Sequence, residues 1–187
     1  MNQLFENTTF DQEHLPATLE QEYSHCIFRK CDLTNAGFLS TRLEDCTFDS
    51  CNLSMVKFNG TVLNDIQLAN CKVVGVDFSK CSKMAFSLKF ENCILDYAIF
   101  HKNNLKNFMF TECRMNGTSF LETNLTSVKF IRCDLEKAAF ERSNLEKADF
   151  TSSRNYTINP ETNKLKKTKF SLPDVVGLLG NLDIIIE

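Results

Sequence analysis

The sequence has no run approaching the roughly 20 consecutive apolar residues of a membrane-spanning helix. Its start, MNQLFENTTF, carries neither a basic leader nor an apolar one. No membrane association is expected, and a cytoplasmic location is. The formal net charge is only -3, which gives no electrostatic ground for direct binding to nucleic acid or to an anionic bilayer. There is no glycine-rich phosphate loop and no H-E-x-x-H stretch. The three histidines, His14, His25 and His101, stand in no motif that pairs them with a nucleophile or a metal ligand. No catalytic residue, metal ligand or cofactor is assigned, and the chain is not expected to be an enzyme.

Cysteine, in contrast, is plentiful. Nine cysteines in a chain without a secretory leader ordinarily raise a metal or redox reading. Where they fall depends on a repeat.

From residue 26 the chain reads CIFRK CDLTN AGFLS TRLED CTFDS CNLSM VKFNG TVLND IQLAN CKVVG VDFSK. After an irregular passage it resumes as LKFEN CILDY AIFHK NNLKN FMFTE CRMNG TSFLE TNLTS VKFIR CDLEK AAFER SNLEK ADFTS. The third residue of each unit, here called i, is Phe or Leu except at Val73 and Met115. Position i-2 is small in most units, with Ile66, Leu88, Asn103 and Phe108 as exceptions, and the remaining positions are mostly polar. A period of five fits neither the helical 3.6 nor the strand alternation of 2.

Every fourth unit repeats the same choice at i. One column holds Phe28, Phe48, Leu68, Phe90, Phe110, Phe130 and Phe150, and another holds Phe38, Phe58, Phe78, Phe100, Phe120 and Phe140. Leu33, Leu53, Val73, Leu95, Met115 and Leu135 form the third, with Leu43, Leu63, Leu105, Leu125 and Leu145 in the fourth. Four units thus close one coil of 20 residues with Phe on two faces and aliphatic residues on the other two. A bulky i beside a small i-2 lets four inward faces meet at ordinary packing density. The fold expected is all-β: a right-handed, four-sided β-helix over residues 23–152, its coils about 4.8 Å apart. Gly60, Gly75, Gly117, Asn35, Asn70, Asn92 and Asn107 fall at i+2, where the corners need residues tolerant of positive φ.

All nine cysteines stand at i-2, and Cys31, Cys51, Cys71, Cys93, Cys113 and Cys133 share one column. Stacked side chains project in parallel, a poor geometry for a disulfide. No C-x2-C spacing occurs. Compact apolar filler is the reading that fits.

Phe78 to Phe100 spans 22 residues instead of 20, so residues 79–88 carry an insertion expected to bulge from the Leu43/Leu63 face, either as a slack corner or as a loop that touches a partner. Residues 1–22 are expected to cap the first coil, with the helix entered near Tyr23, because an open solenoid end exposes core and strand edge. Residues 153–187 are expected to cap the other end. There Lys164, Lys166, Lys167 and Lys169 read as a solvated basic strip. Pro173 opens a short helix over 173–179, and Ile184 to Ile186 form a terminal strand. Val175, Val176, Leu178, Leu179, Leu182, Ile184 and Ile186 are too apolar for a solvated tail, and either cap the last coil or cap it and make a two-fold dimer. Asp32, Glu44, Asp45, Asp49 and Asp65 sit at outward positions and are the candidate partner-facing acids.

The tandem A/C-[DN]-[LF]-x-x units over residues 26–152 resemble the pentapeptide-repeat family. Within it, the plan of repeats, mid-chain irregularity and the tail TINPETNKL…LLGNLDIII resembles the immunity protein against a gyrase-poisoning microcin and the Qnr quinolone-resistance proteins. The resemblance implies a homodimer joined through its C-terminal module and a DNA-like shape. It also implies a type II topoisomerase partner, DNA gyrase or topoisomerase IV, protected from toxin or quinolone. A generic protein-interaction scaffold with another partner is the second reading that the sequence leaves open.

Overall fold

A computed structural model describes residues 3–19, 21–182 and 184–185. Eleven short strands run in chain order: β1 (Leu4–Glu6), β2 (Thr9–Phe10), β3 (Glu22–Ser24), β4 (Ile27–Arg29), β5 (Arg42–Glu44), β6 (Thr47–Asp49), β7 (Val62–Asn64), β8 (Ile66–Ala69), β9 (Leu88–Glu91), β10 (Met109–Thr111) and β11 (Lys129–Ile131). All pairings are parallel. One sheet has the order β1-β3-β5-β7 and the other β11-β10-β9-β8-β6-β4-β2. The two remaining faces are held by single bridges, such as Asp32 to Asn52 to Lys72 and Ile99 to Ser119 to Ala139. The molecule is a four-sided β-solenoid.

Register follows from packing of like on like. Phe28 pairs with Phe48, Leu43 with Leu63 and Phe110 with Phe130, each one coil apart. Phe28 and Phe48 stack at 4.7 Å between centroids, whereas Phe28 meets Phe38 of the opposite column edge-on at 6.0 Å. Both arrangements suit the aromatic quadrupole, and each is worth about 0.5–1.5 kcal/mol beyond burial itself. The core is therefore two stacked aromatic columns meeting in a herringbone, with the aliphatic columns filling its sides.

The corners use far more than Gly and Asn. Ser40, Asp45, Met55, Tyr97, Arg132 and Lys147 all adopt φ between 51 and 59 at i+2, a conformation costing roughly 1–2 kcal/mol for an L-residue. The backbone recovers a hydrogen bond for it. The Asp45 amide donates to Asn64 O at 3.0 Å and the Ser50 amide to Ala69 O at 2.9 Å, so the twist turns each corner N–H toward the next coil.

Both ends extend the solenoid beyond residues 23–152. At the N-terminus, Phe5 pairs with Tyr23 and Phe10 with Phe28, so a shortened coil precedes Tyr23 and Leu15 and Leu19 pack against the core. At the C-terminus the bridges Asn144 to Lys164 and Asp149 to Lys169 add another coil, and Phe170 stacks on Phe150 at 5.5 Å. In it, Tyr156 and Ile158 are buried where the five-residue spacing is lost.

The terminal cap differs from expectation. The short helix falls within the expected 173–179 but as a 3-10 helix, Asp174–Leu178, with Pro173 and Leu179 at its ends. The Gly177 carbonyl, which an α-helix would use internally, accepts instead from the Ile158 amide at 3.0 Å. Ile184 and Ile185 form no strand and are 53% and 89% exposed; Ile186 lies outside the described residues.

The insertion sits on the Leu43/Leu63 face. Ser82 N–H donates to Thr61 O and Ser87 N–H to Leu63 O, so Lys83, Met84 and Ala85 are looped out where the coil above has Leu63 alone. Phe86 turns half-inward to stack with Phe108 at 6.0 Å, which accounts for the large i-2 residues here: the aromatic pair fills volume that a Leu would otherwise occupy.

Candidate interaction surface

Position i-2 does more than fill space. Cys51, Cys71, Cys93 and Cys133 each donate Sγ–H to a main-chain carbonyl one coil back: Phe28, Phe48, Leu68 and Phe110, at 3.3 to 3.4 Å. Thr123, Ser153 and Asn163 do the same with oxygen or amide donors to Phe100, Phe130 and Phe140. Cys, Ser, Thr and Asn are thus interchangeable there as short donors, a role that composition alone does not reveal. All nine cysteines are buried and free, and burial pushes the Cys81 thiol up to about 12 and the Cys46 thiol up to about 11. Among the described residues no group of His, Cys, Asp or Glu is placed to hold a metal ion, and no helix is long and apolar enough to cross a membrane.

Interaction capacity lies outside, at i-1, i+1 and i+2, where stacking makes ladders of charge. Arg114 holds Asp96 through two nitrogens, with Nη2 to Oδ2 at 2.6 Å. Glu122 lies between Lys102 at 3.4 Å and Arg142 at 3.1 Å, respectively one coil before and after it. Arg132 reaches Glu112, Arg154 reaches Asp134, and Lys169 reaches Asp149. On three faces, acids such as Asp96, Glu112, Glu122, Asp134 and Asp149 are thus paired with cations one coil away.

The five candidate acids do not form one patch. Glu44, Asp45 and Asp65 share one corner region: Asp45 and Asp65 line a crevice of about 200 Å³ with Ile66, Gln67, Ser87 and Lys89. Glu44 accepts from Asn64 at 3.1 Å and Asp65 from the Ser87 hydroxyl at 3.0 Å. Asp49 lies across the adjoining face beside Arg29, 3.4 Å away. The Ser50 hydroxyl and Asn70 amide hold its carboxyl below the usual range. Asp32, on the next face, accepts from the Thr34 hydroxyl at 2.6 Å, which lowers its pKa likewise.

Among the described residues, exposed apolar side chains concentrate in the tail. Leu172, Val176, Leu179, Leu182, Ile184 and Ile185 are each more than a third exposed, whereas Leu178 packs against the core and Val175 is half-buried. The histidines occupy outer positions: His14 pairs with Asp11 at 2.6 Å, His25 faces Asp45 at 3.5 Å, and His101 meets the Ser119 hydroxyl at 2.7 Å.

A model of the pentapeptide repeat region matches residues 22–89 and 83–170. No curated protein matches the sequence. Among solved structures, a trypsin-treated form of QnrB1, described as a plasmid-mediated fluoroquinolone resistance protein, superposes with a TM-score of 0.65 at 20% identity, over 100% of this chain and 98% of its own. Full-length QnrB1 gives the same score and identity over 98% of each chain. At that identity the likeness concerns the fold. The repeat match runs through both halves of the solenoid, from the third strand to the last stacked phenylalanine, and the chain belongs to the pentapeptide-repeat family.

Proposed function

We propose that this chain is a non-enzymatic interaction protein that engages a type II topoisomerase, DNA gyrase or topoisomerase IV, through its DNA-like rod shape, and so shields the enzyme from a toxin or a quinolone. In this reading residues 153–187 serve as the C-terminal cap and dimerisation module, and two rods join end to end. The end-to-end correspondence with QnrB1 is the observation that carries the reading, because the described function of that protein is fluoroquinolone resistance. The exposed apolar side chains of the tail support the dimer: six of them on one short terminal segment are a stronger signal than scattered surface leucines.

A supercoiling assay with purified gyrase tests it. Titrating this protein in the presence of quinolone or microcin is expected to restore supercoiling, and no protection or inhibition at micromolar protein rejects the topoisomerase partner. A scaffold for a different protein partner is the second reading. Charge neutralisation across coils favours it, since duplex DNA presents about one negative charge per 1.7 Å and three faces of this rod lack such a field.

A further inference from the structure

The fourth face, that of Leu43, Leu63, Leu105, Leu125 and Leu145, differs from the others in being polarised along the rod. Its N-terminal half carries Glu22, Glu44, Asp45 and Asp65 against Arg42, and its C-terminal half carries Lys106, Lys147, Lys164, Lys166 and Lys167 against Glu146. Among the described residues none of these five lysines makes an ion pair, unlike Lys102 and Lys169 on neighbouring faces. Between the halves stands the insertion, with Met84 70% exposed and Lys83 exposed beside it.

We infer that this face binds the same face of a second copy of the chain, antiparallel and side by side. The charge pattern is complementary to itself under one operation, a two-fold axis lying in the face and across the rod near the insertion. With the axis half a coil beyond the insertion, Glu22 faces Lys164, both at i-1 and both in the outermost full coils of the face. Asp45 faces Lys147, both at i+2 on the same edge. Met84 lies beside the axis, where two copies meet and exclude water from each other. A long polyanion suits this face poorly, because half of it would lie on carboxylates.

Two placements in this register are unfavourable: Glu44 comes against Glu146, and the exposed Lys83 of the insertion lies beside the axis with Lys106. Exposed pairs are individually weak, and each occurs twice by symmetry. Screening over about 8 Å at physiological ionic strength makes the association salt-dependent. This surface is separate from the tail and independent of the topoisomerase reading.

Sedimentation of the full chain at low and high salt tests the inference, with two charge-reversed variants. E22K/D45K makes the face basic throughout, and K147E/K164E makes it acidic. The wild type is expected to gain mass as salt falls, neither variant alone is expected to do so, and an equimolar mixture of the two is expected to regain the increase. E146K is expected to raise the salt concentration at which the wild-type increase is lost. A wild-type mass indifferent to salt, a salt-dependent increase in either variant alone, or no complementation in the mixture overturns the inference. So does binding of a 20-base-pair duplex that K147E/K164E abolishes while the mass stays independent of salt, which assigns the lysines to a polyanion instead.

Discussion

The Tyr156 carbonyl lies so close to Gly177 that a Cβ on that glycine would overlap it, and the Gly177 carbonyl in turn accepts from Ile158, two residues beyond Tyr156. Backbone is thereby pressed on backbone where the tail crosses the last coil. Gly177→Ala is expected to destabilise this closure by about 1–3 kcal/mol, the usual cost of overpacking. Loss of amide-exchange protection at Ile158, with protection at Phe110 retained, is the signature. Unchanged protection at Ile158 would show that the tail can move aside at no cost.

Phe110 stacks at 5.3 Å on both Phe90 and Phe130, and meets Phe100 and Phe120 edge-on. Phe110→Ala is expected to lower unfolding free energy by about 3–5 kcal/mol in urea titration. Phe5→Ala, at a half-buried position on the first coil, should cost distinctly less. Equal losses would contradict a core continuous from coil to coil.

Burial raises the Cys46 thiol to about 11 and the Cys81 thiol to about 12, so at pH 8 almost no thiolate exists at either. Native protein is expected to leave Cys46 and Cys81 unlabelled by a thiol-specific disulfide reagent over the time in which denaturant-unfolded protein reacts completely. Mass spectrometry of the labelled protein reads this, and prompt native labelling at either position contradicts the packing.

Asp32 and Asp49 have folded pKa values below the ordinary 3.8, through the hydroxyls of Thr34 and Ser50 respectively. A depressed carboxylate pKa adds stability that is complete above the unfolded value and is lost as pH falls through the folded one. Melting temperature is expected to be flat between pH 7 and about 5 on this account and to fall below about pH 4. Asp32→Asn should shallow that fall. A steeper fall in the variant reverses the sign.

Removal of residues 173–187 deletes five of the six exposed apolar side chains of the tail but leaves Phe170 stacked on Phe150. Under the end-to-end dimer the truncated chain is expected to elute as a monomer or to aggregate, with its coils still folded by circular dichroism. An unchanged dimer mass in light scattering at physiological salt would relieve the tail of that role.

The columns Phe28 to Phe150 and Phe38 to Phe140 could be read from the sequence because side-chain identity repeats at the coil spacing, and pairing of like residues is what lowers the energy of a stacked core. The corners were half legible. Gly and Asn announce positive φ, but Lys147 and Arg132 adopt it only because the next coil offers an acceptor to their amides, the Lys166 carbonyl and the Ser152 hydroxyl respectively. The first and last coils were hidden, since an 18-residue offset from Phe10 to Phe28 and the loss of spacing around Tyr156 break the period while preserving the stack.

Sequence alone thus determined the architecture, the residues of its core and the buried place of the cysteines, since each follows from a local pattern repeated without need of distant partners. Tertiary structure alone decided which charges meet. Arg114 and Asp96 lie on successive coils, Glu122 serves two cations, and Lys106 shares a face with Lys164. Coulomb energy depends on separation in space, and winding the chain into coils sets that separation only once the insertion and both ends have taken their register.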